Sequence, residues 1–276
     1  MAIINKKFDS YYGVETGNQL QMFDLLANEL LMHIFEYVVA GNPSNLMNCE
    51  QVCKTWCGIL QNKQFLHLSI KTISFGKSDW EEYLGDVGEV PPIPKGILKI
   101  LNLTCPYFPN KKVWEIHLLV LVPKTVNEKE LTPEYLEELV KNPKNGGPPA
   151  NYSYYPSTAY KKTPVSESHW VLIGRRIIPN SALKKHSDQL KLLKPNYEPP
   201  HLTDALVAIL THHVKTGERL FGNERSSCQE ETVLNASNAY PVSIGPFTDR
   251  GLNVMLNMHA YNVFNATGLG FVRKLD

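Results

Sequence analysis

The sequence predicts an α+β protein in two parts, a helical N-terminal segment followed by a larger mixed α+β domain. Three observations predict this. An apolar pattern of helical period starts at Phe23 and fades near Leu60. From about residue 70 it gives way to short, continuously apolar runs and to one stretch of strict alternation. The 276 residues are 43% hydrophobic and 20% charged, an ordinary globular composition that excludes a collagenous, coiled-coil or wholly disordered chain.

Charge narrows the partners. Lys plus Arg number 28 and Asp plus Glu 27, for a net charge of +1, so the chain does not bind nucleic acid through bulk charge. Residues 1–70 are mildly acidic and the remainder mildly basic, and neither balance names a ligand. A chain of this length buries a core without metal or disulfide help, and no cofactor is expected.

The elements run in chain order. Residues 1–22 are polar and aperiodic and read as a flexible leader. In 23–39, Leu26, Leu30, Ile34 and Val38 fall four apart, flanked by Leu31 and Phe35, which predicts an amphipathic helix with a broad apolar face. Gly41-Asn42-Pro43 stops it and Ser44 can cap the next helix. Leu46 to Leu60, with Val52, Cys53 and Trp56, reads as one or two further short helices, closing a helical segment at 23–66. Residues 67–96 are expected as a connector, because 85–96 holds three Gly and three Pro.

The second domain is expected over 97–276. Within it, the run from Val113 to Val122 predicts one buried strand. Thr132-Pro133 predicts a helix start, with Thr132 as N-cap and Pro133 in the first turn. Residues 142–160 read as a long Gly/Pro/Tyr loop, and HWVLIG at 169–174 as another strand. From Leu202 to Val214 the chain is apolar nearly all round and predicts a buried helix. Leu252, Val254, Leu256 and Met258 alternate with polar residues, which is strand period.

Candidate chemistry is sparse. Five Cys, at 49, 53, 57, 105 and 228, are too few and too odd in number for a disulfide framework, and reduced thiols in a cytoplasmic setting fit better. The N-terminal residues lack the apolar run of a secretory signal, so the four Asn-x-Ser/Thr sites at Asn102, Asn151, Asn235 and Asn265 carry no expectation of glycosylation. Runs such as Ile116–Val122 and Ala205–Leu210 are too short to span a bilayer, and no membrane partner is expected. Cys49, Cys53 and Cys57 share a helix face, but no second ligand pair accompanies them, so a zinc site is not favoured. Cys228 could serve as a thiol nucleophile, although nothing local marks it. His212 and His213 sit near a helix C-terminus, where cations suit the helix dipole. Metalloprotease, P-loop and dinucleotide fingerprints are lacking. Arg175, Arg176, Lys184, Lys185, Lys191 and Lys194 give a local basic excess, read mainly as a solvated face.

The segment 23–60 is the exception to this ordinary picture. It carries Phe23, Leu26, Leu30, Leu31, Ile34, Phe35, Val38, Leu46, Val52, Trp56 and Leu60, more large apolar groups than so short a helical unit can bury alone. Either the rest of the chain covers them or another protein does, through an interface of aliphatic and aromatic anchors.

Those residues carry a resemblance. Leu26-Ala27-Asn28-Glu29-Leu30-Leu31, then Ile34-Phe35-Glu36-Tyr37-Val38, then Leu46, then Val52-Cys53-Lys54-Thr55-Trp56 resembles the F-box, in order and with suitable spacing. Ala27 stands where that family has Pro, and Gly41 to Ser44 lengthen the first loop. SHWVLIG at 168–174, HHVKTGERLFG at 212–222 and Cys228-Gln229-Glu230 resemble the tail of F-box-like proteins from chlamydia-related intracellular bacteria.

The resemblance implies a three-helix F-box over 23–66. It implies docking onto a Skp-type adaptor of a cullin–RING (SCF-type) ubiquitin ligase through Leu26, Leu30, Leu31, Ile34, Phe35, Val38, Leu46, Val52, Cys53 and Trp56. The mixed domain would recruit a target protein, and the chain itself would be no enzyme. A bacterial origin would make it an effector delivered into a host cytosol. Two other classes stay open at this point: an enzyme in the second domain, and a plain protein-binding module without a link to ubiquitin.

Overall fold

The structure is a computed structural model that describes residues 73–154, 158–235, 238–261 and 266–275. The chain divides between Thr72 and Ile73 into two units. The expected leader, the expected three-helix segment and all ten predicted partner-binding residues lie outside the described residues, which belong to the second unit.

The second unit is α+β, as its mixed patterning predicts. One five-stranded sheet runs in the order β1-β4-β8-β14-β9 and comprises β1 (Ser74–Phe75), β4 (His117–Val122), β8 (His169–Gly174), β14 (Val272–Arg273) and β9 (Tyr197–Glu198). The β4–β8 pair is its spine, antiparallel and in continuous register from His117 opposite Gly174 to Val122 opposite His169. A second five-stranded sheet runs β13-β10-β11-β12-β7, built from β13 (Gly268–Leu269), β10 (Ser226–Asn235), β11 (Asn238–Thr248), β12 (Gly251–Leu256) and β7 (Tyr152–Tyr154). Two small ribbons, β2 (Thr104–Cys105) with β3 (Phe108–Lys112) and β5 (Thr125–Val126) with β6 (Lys129–Glu130), complete the strands.

The helix α7 (Leu202–Thr216) ties the sheets together, touching β1, β4 and β8 of the first and β10 and β11 of the second. Every residue from Asp204 to Val214 is buried. A helix that is apolar nearly all round can satisfy itself only with core on all sides. Gly217 ends it with φ 76°, donating its N–H to the His213 carbonyl at 2.7 Å, a conformation that glycine adopts without a Cβ penalty. One continuous core joins α7 to both sheets and to α4 (Pro133–Lys141). At the N-terminus of α4, the Thr132 hydroxyl accepts from the Tyr135 N–H at 3.1 Å, with Pro133 in the first turn, as expected.

Three expectations change on contact with the structure. Residues 142–160, read as one long loop, hold β7, which pairs with β12, and the start of a short helix at Thr158–Lys161. The run 113–122 is not one strand. Val113–Ile116 form a helical turn, α3, because the Glu115 carboxylate reaches back to the Lys112 N–H at 2.7 Å and caps it. Only His117–Val122 continue as strand. The stretch expected as connector also contributes core from residue 73 onward. It holds β1 and the helix α1 (Lys77–Tyr83) and buries Phe75, Trp80 and Leu84. Trp80 is fully buried, donates its indole N–H to the Leu121 carbonyl at 2.9 Å, and meets Phe75 edge-on. Residues 85–96 are irregular, as their Gly and Pro content predicts. Three short helices, α2 (Ile97–Leu101), α5 (Thr158–Lys161) and α6 (His186–Leu190), fill connections.

Candidate functional site

The residues proposed to dock a partner, Leu26 to Trp56, lie outside the described residues. The described residues form a cleft of about 510 Å³ in the second unit. Its walls come from β3, from α3, from the two residues after β8, and from the 218–224 turn beyond α7. The turn is anchored: Leu220 and Phe221 are buried in the core, and the Gly222 carbonyl accepts from the Phe247 N–H at 3.0 Å. On the other side, the Arg175 N–H donates to the Ile116 carbonyl at 2.8 Å, fixing the residue after β8 against α3. The cleft is therefore set into ordered backbone on both sides.

Its charged groups are Arg175, Arg176, Arg219 and Lys111 against Glu115, Glu218 and Glu224. Two of the three acids are already engaged. Glu115 accepts from the Lys111 ammonium at 2.8 Å, besides its cap on Lys112. Glu218 accepts from His212 Nε2 at 2.8 Å, and this hydrogen bond holds the Glu218 carboxyl below its usual range. The nearest nitrogen of Arg175 stands 4.0 Å from Glu218, beyond hydrogen-bond reach. Arg175 Nε is buried and has no hydrogen-bond partner among the described residues. Burial pushes the Arg175 pKa down from its ordinary value, though a guanidinium remains charged.

Of the predicted basic stretch, only Arg175 and Arg176 reach the cleft. Lys191 pairs with Asp188 at 2.7 Å on α6. Arg219 and Lys111 join from distant positions that local sequence patterning cannot connect. Burial pushes the His212 pKa down, so this imidazole is held neutral rather than as the cation that the helix-dipole expectation assigned to it.

The two described thiols are unsuited to nucleophilic work. Cys228 lies buried within β10, and burial drives its pKa well above the ordinary thiol value. Cys105 is also buried, and its pKa is raised by the same cause. The thiolate is the nucleophile, so neither position supplies one at neutral pH. Besides His212, two histidines hold carboxylate partners: His169 with Asp204 at 3.1 Å and His201 with Glu230 at 3.2 Å. Each hydrogen bond raises the imidazole pKa. Glu230 also accepts from the Leu202 N–H at 2.8 Å, so it caps α7. Among the described residues no group of three His, Cys, Asp or Glu side chains converges to hold a metal ion, and no helix is long and apolar enough to cross a membrane.

Comparison with known proteins bears on the first unit. An F-box-like family model matches residues 25–68, the stretch that carries the Leu-Leu-x-x-Ile-Phe and Val-Cys-Lys-x-Trp residues. No curated protein and no solved structure matches the chain.

Proposed function

We propose, from the F-box-like match over residues 25–68, that the chain is a substrate-recruiting adaptor of an SCF-type ubiquitin ligase. F-box segments dock on Skp-type adaptors, and the ordered apolar residues at 26–56 supply the anchors for such a contact. On this reading the second unit carries the target-binding surface and the chemistry belongs to other subunits. The adaptor contributes by raising the effective concentration of a target lysine near the ubiquitin-conjugating enzyme. Docking of this kind places the chain in a cytosol. If a bacterium encodes it, that cytosol is a host's.

The match over 25–68, falling where the apolar excess falls, carries the reading. The test is co-purification of the full chain with a Skp-type adaptor, then with Ile34→Ala plus Phe35→Ala. A stable wild-type complex lost in the double variant is the expected result. Thermal unfolding of the full chain, followed in parallel, shows whether the variant still folds. No complex with the wild type, or equal binding by the variant, overturns the proposal.

A further inference from the structure

The guanidinium of Arg175 is short of acceptors. Its side chain is 28% exposed, its Nε is buried without a partner, and the closest carboxylate oxygen is 4.0 Å away. Buried polar groups are nearly always hydrogen-bonded, and leaving a donor unpaired costs roughly 1–3 kcal/mol. The Glu218 oxygen nearest Arg175, Oε2, is the one already held by His212 at 2.8 Å. Glu115 is likewise held by Lys111 and by the Lys112 backbone. Lys111 and Glu115 cancel, and the carboxylates of Glu218 and Glu224 stand against Arg175, Arg176 and Arg219, which leaves the cleft a net excess of one positive charge. Arg176 and Arg219 are exposed; Arg176 contributes to the field that lowers the Glu218 pKa, and the Arg219 guanidinium lies 5.9 Å from the centre of the Phe247 ring. Their planar forks match oxyanions bidentately.

Size and wall chemistry agree. A volume of about 510 Å³ lies within the range of small-ligand sites. Phe108, Ile116 and Phe221 offer apolar wall beside the arginines, enough to hold the body of a ligand whose charged end faces the guanidinium groups. The turn bearing Arg219 is pinned by buried Leu220 and Phe221, so the site is largely formed before a ligand arrives.

We propose that this cleft binds a small molecule with a doubly charged oxyanion end, held by Arg175, Arg176 and Arg219. A phosphate monoester and a dicarboxylate share that chemistry. The proposal does not rest on the adaptor reading.

Calorimetric titration of the full chain at low salt with phenyl phosphate, glutarate and neutral benzyl alcohol tests it. Saturable one-site binding of at least one anion, and none of benzyl alcohol, is expected. Tighter binding of phenyl phosphate identifies the phosphate class, and tighter binding of glutarate the carboxylate class. Replacing Arg176→Gln and Arg219→Gln together, at exposed positions, should weaken binding by at least about tenfold, the loss expected for removing charged hydrogen bonds. Anion binding no stronger than that of benzyl alcohol, or equal affinity in the double variant with its thermal unfolding unchanged, overturns the proposal.

Discussion

Lys215 Nζ lies 2.9 Å from Asp79 Oδ1, joining the last turn of α7 to the first turn of α1 through an ion pair whose carboxylate side chain is only 3% exposed. The pair closes a small network. Asp79 also accepts from the Gly76 N–H at 2.8 Å, and Lys215 also donates to the Ser74 carbonyl at 2.8 Å. The strand β1, the helix α1 and the central helix are thus fastened at one point, and that point recruits residues 74–79, which the sequence alone places in a connector.

Removing one partner should therefore cost more than removing both. Lys215→Met leaves the Asp79 carboxylate buried without its counter-charge, and a loss of about 3 kcal/mol in urea unfolding is expected. The double change Asp79→Asn plus Lys215→Met should cost clearly less than the sum of the two single changes. Additive single and double losses would show that the two side chains do not act as a pair.

Gly174 is the last residue of β8, and the ring of Phe271 lies directly over it. A Cβ there would come within 2.5 Å of the ring. Phe271 is fully buried and packs against Tyr107, Tyr197 and His117, so it has nowhere to retreat. Gly174→Ala should destabilise by roughly 1–3 kcal/mol through overpacking, read as a lower urea midpoint at unchanged m-value. An unaltered midpoint would mean the Phe271 ring can shift.

How much of the fold and the cleft was legible in the sequence depends on how local each signal is. The helix Leu202–Thr216 and the strand His169–Gly174 could be read directly, because a run apolar all round and a compact run rich in β-formers state their burial in adjacent residues. The Thr132 cap was legible for the same reason, being a contact across three residues. The strand reading of 113–116 failed because one capping carboxylate, Glu115, outweighed a continuous apolar run. The cleft was half visible. Arg175 and Arg176 stand together in the chain, whereas Lys111 and Arg219 reach it only through the fold. Trp80 escaped notice because its partner, the Leu121 carbonyl, is 41 residues away.

Thiol chemistry offers a direct check on burial. Cys228 lies within the second sheet and Cys105 beneath Tyr107, both with pKa values raised by burial. Both should resist iodoacetamide in the native chain at pH 8 and react fully in guanidinium, as followed by peptide mass spectrometry. Rapid native labelling of Cys228 would reinstate a reactive thiol and, with it, the enzymatic reading of the second unit.

Acid should weaken the second unit partly through one histidine. His117 is completely buried in β4, its Nδ1 paired with the Val113 carbonyl at 3.0 Å and its Nε2 without a partner among the described residues. Phe271 meets it edge-on, Tyr197 lies beside it, and the Arg273 guanidinium is near enough to disfavour a second positive charge. Burial, mainly, lowers its pKa from 6.5 to about 4. Between those values the unfolded chain takes up a proton that the folded chain refuses, so stability rises with pH across this window and is lost as pH falls through it. The full effect is about 3 kcal/mol below pH 4, at 1.36 kcal/mol for each pH unit of displacement. His117→Phe removes the titration. Its unfolding free energy should therefore fall less steeply from pH 6.5 to pH 4 than that of the natural chain, even if it starts lower for want of the bond to Val113. Parallel pH profiles for the two chains would show that His117 is protonated without penalty, and that the space around Nε2 admits water.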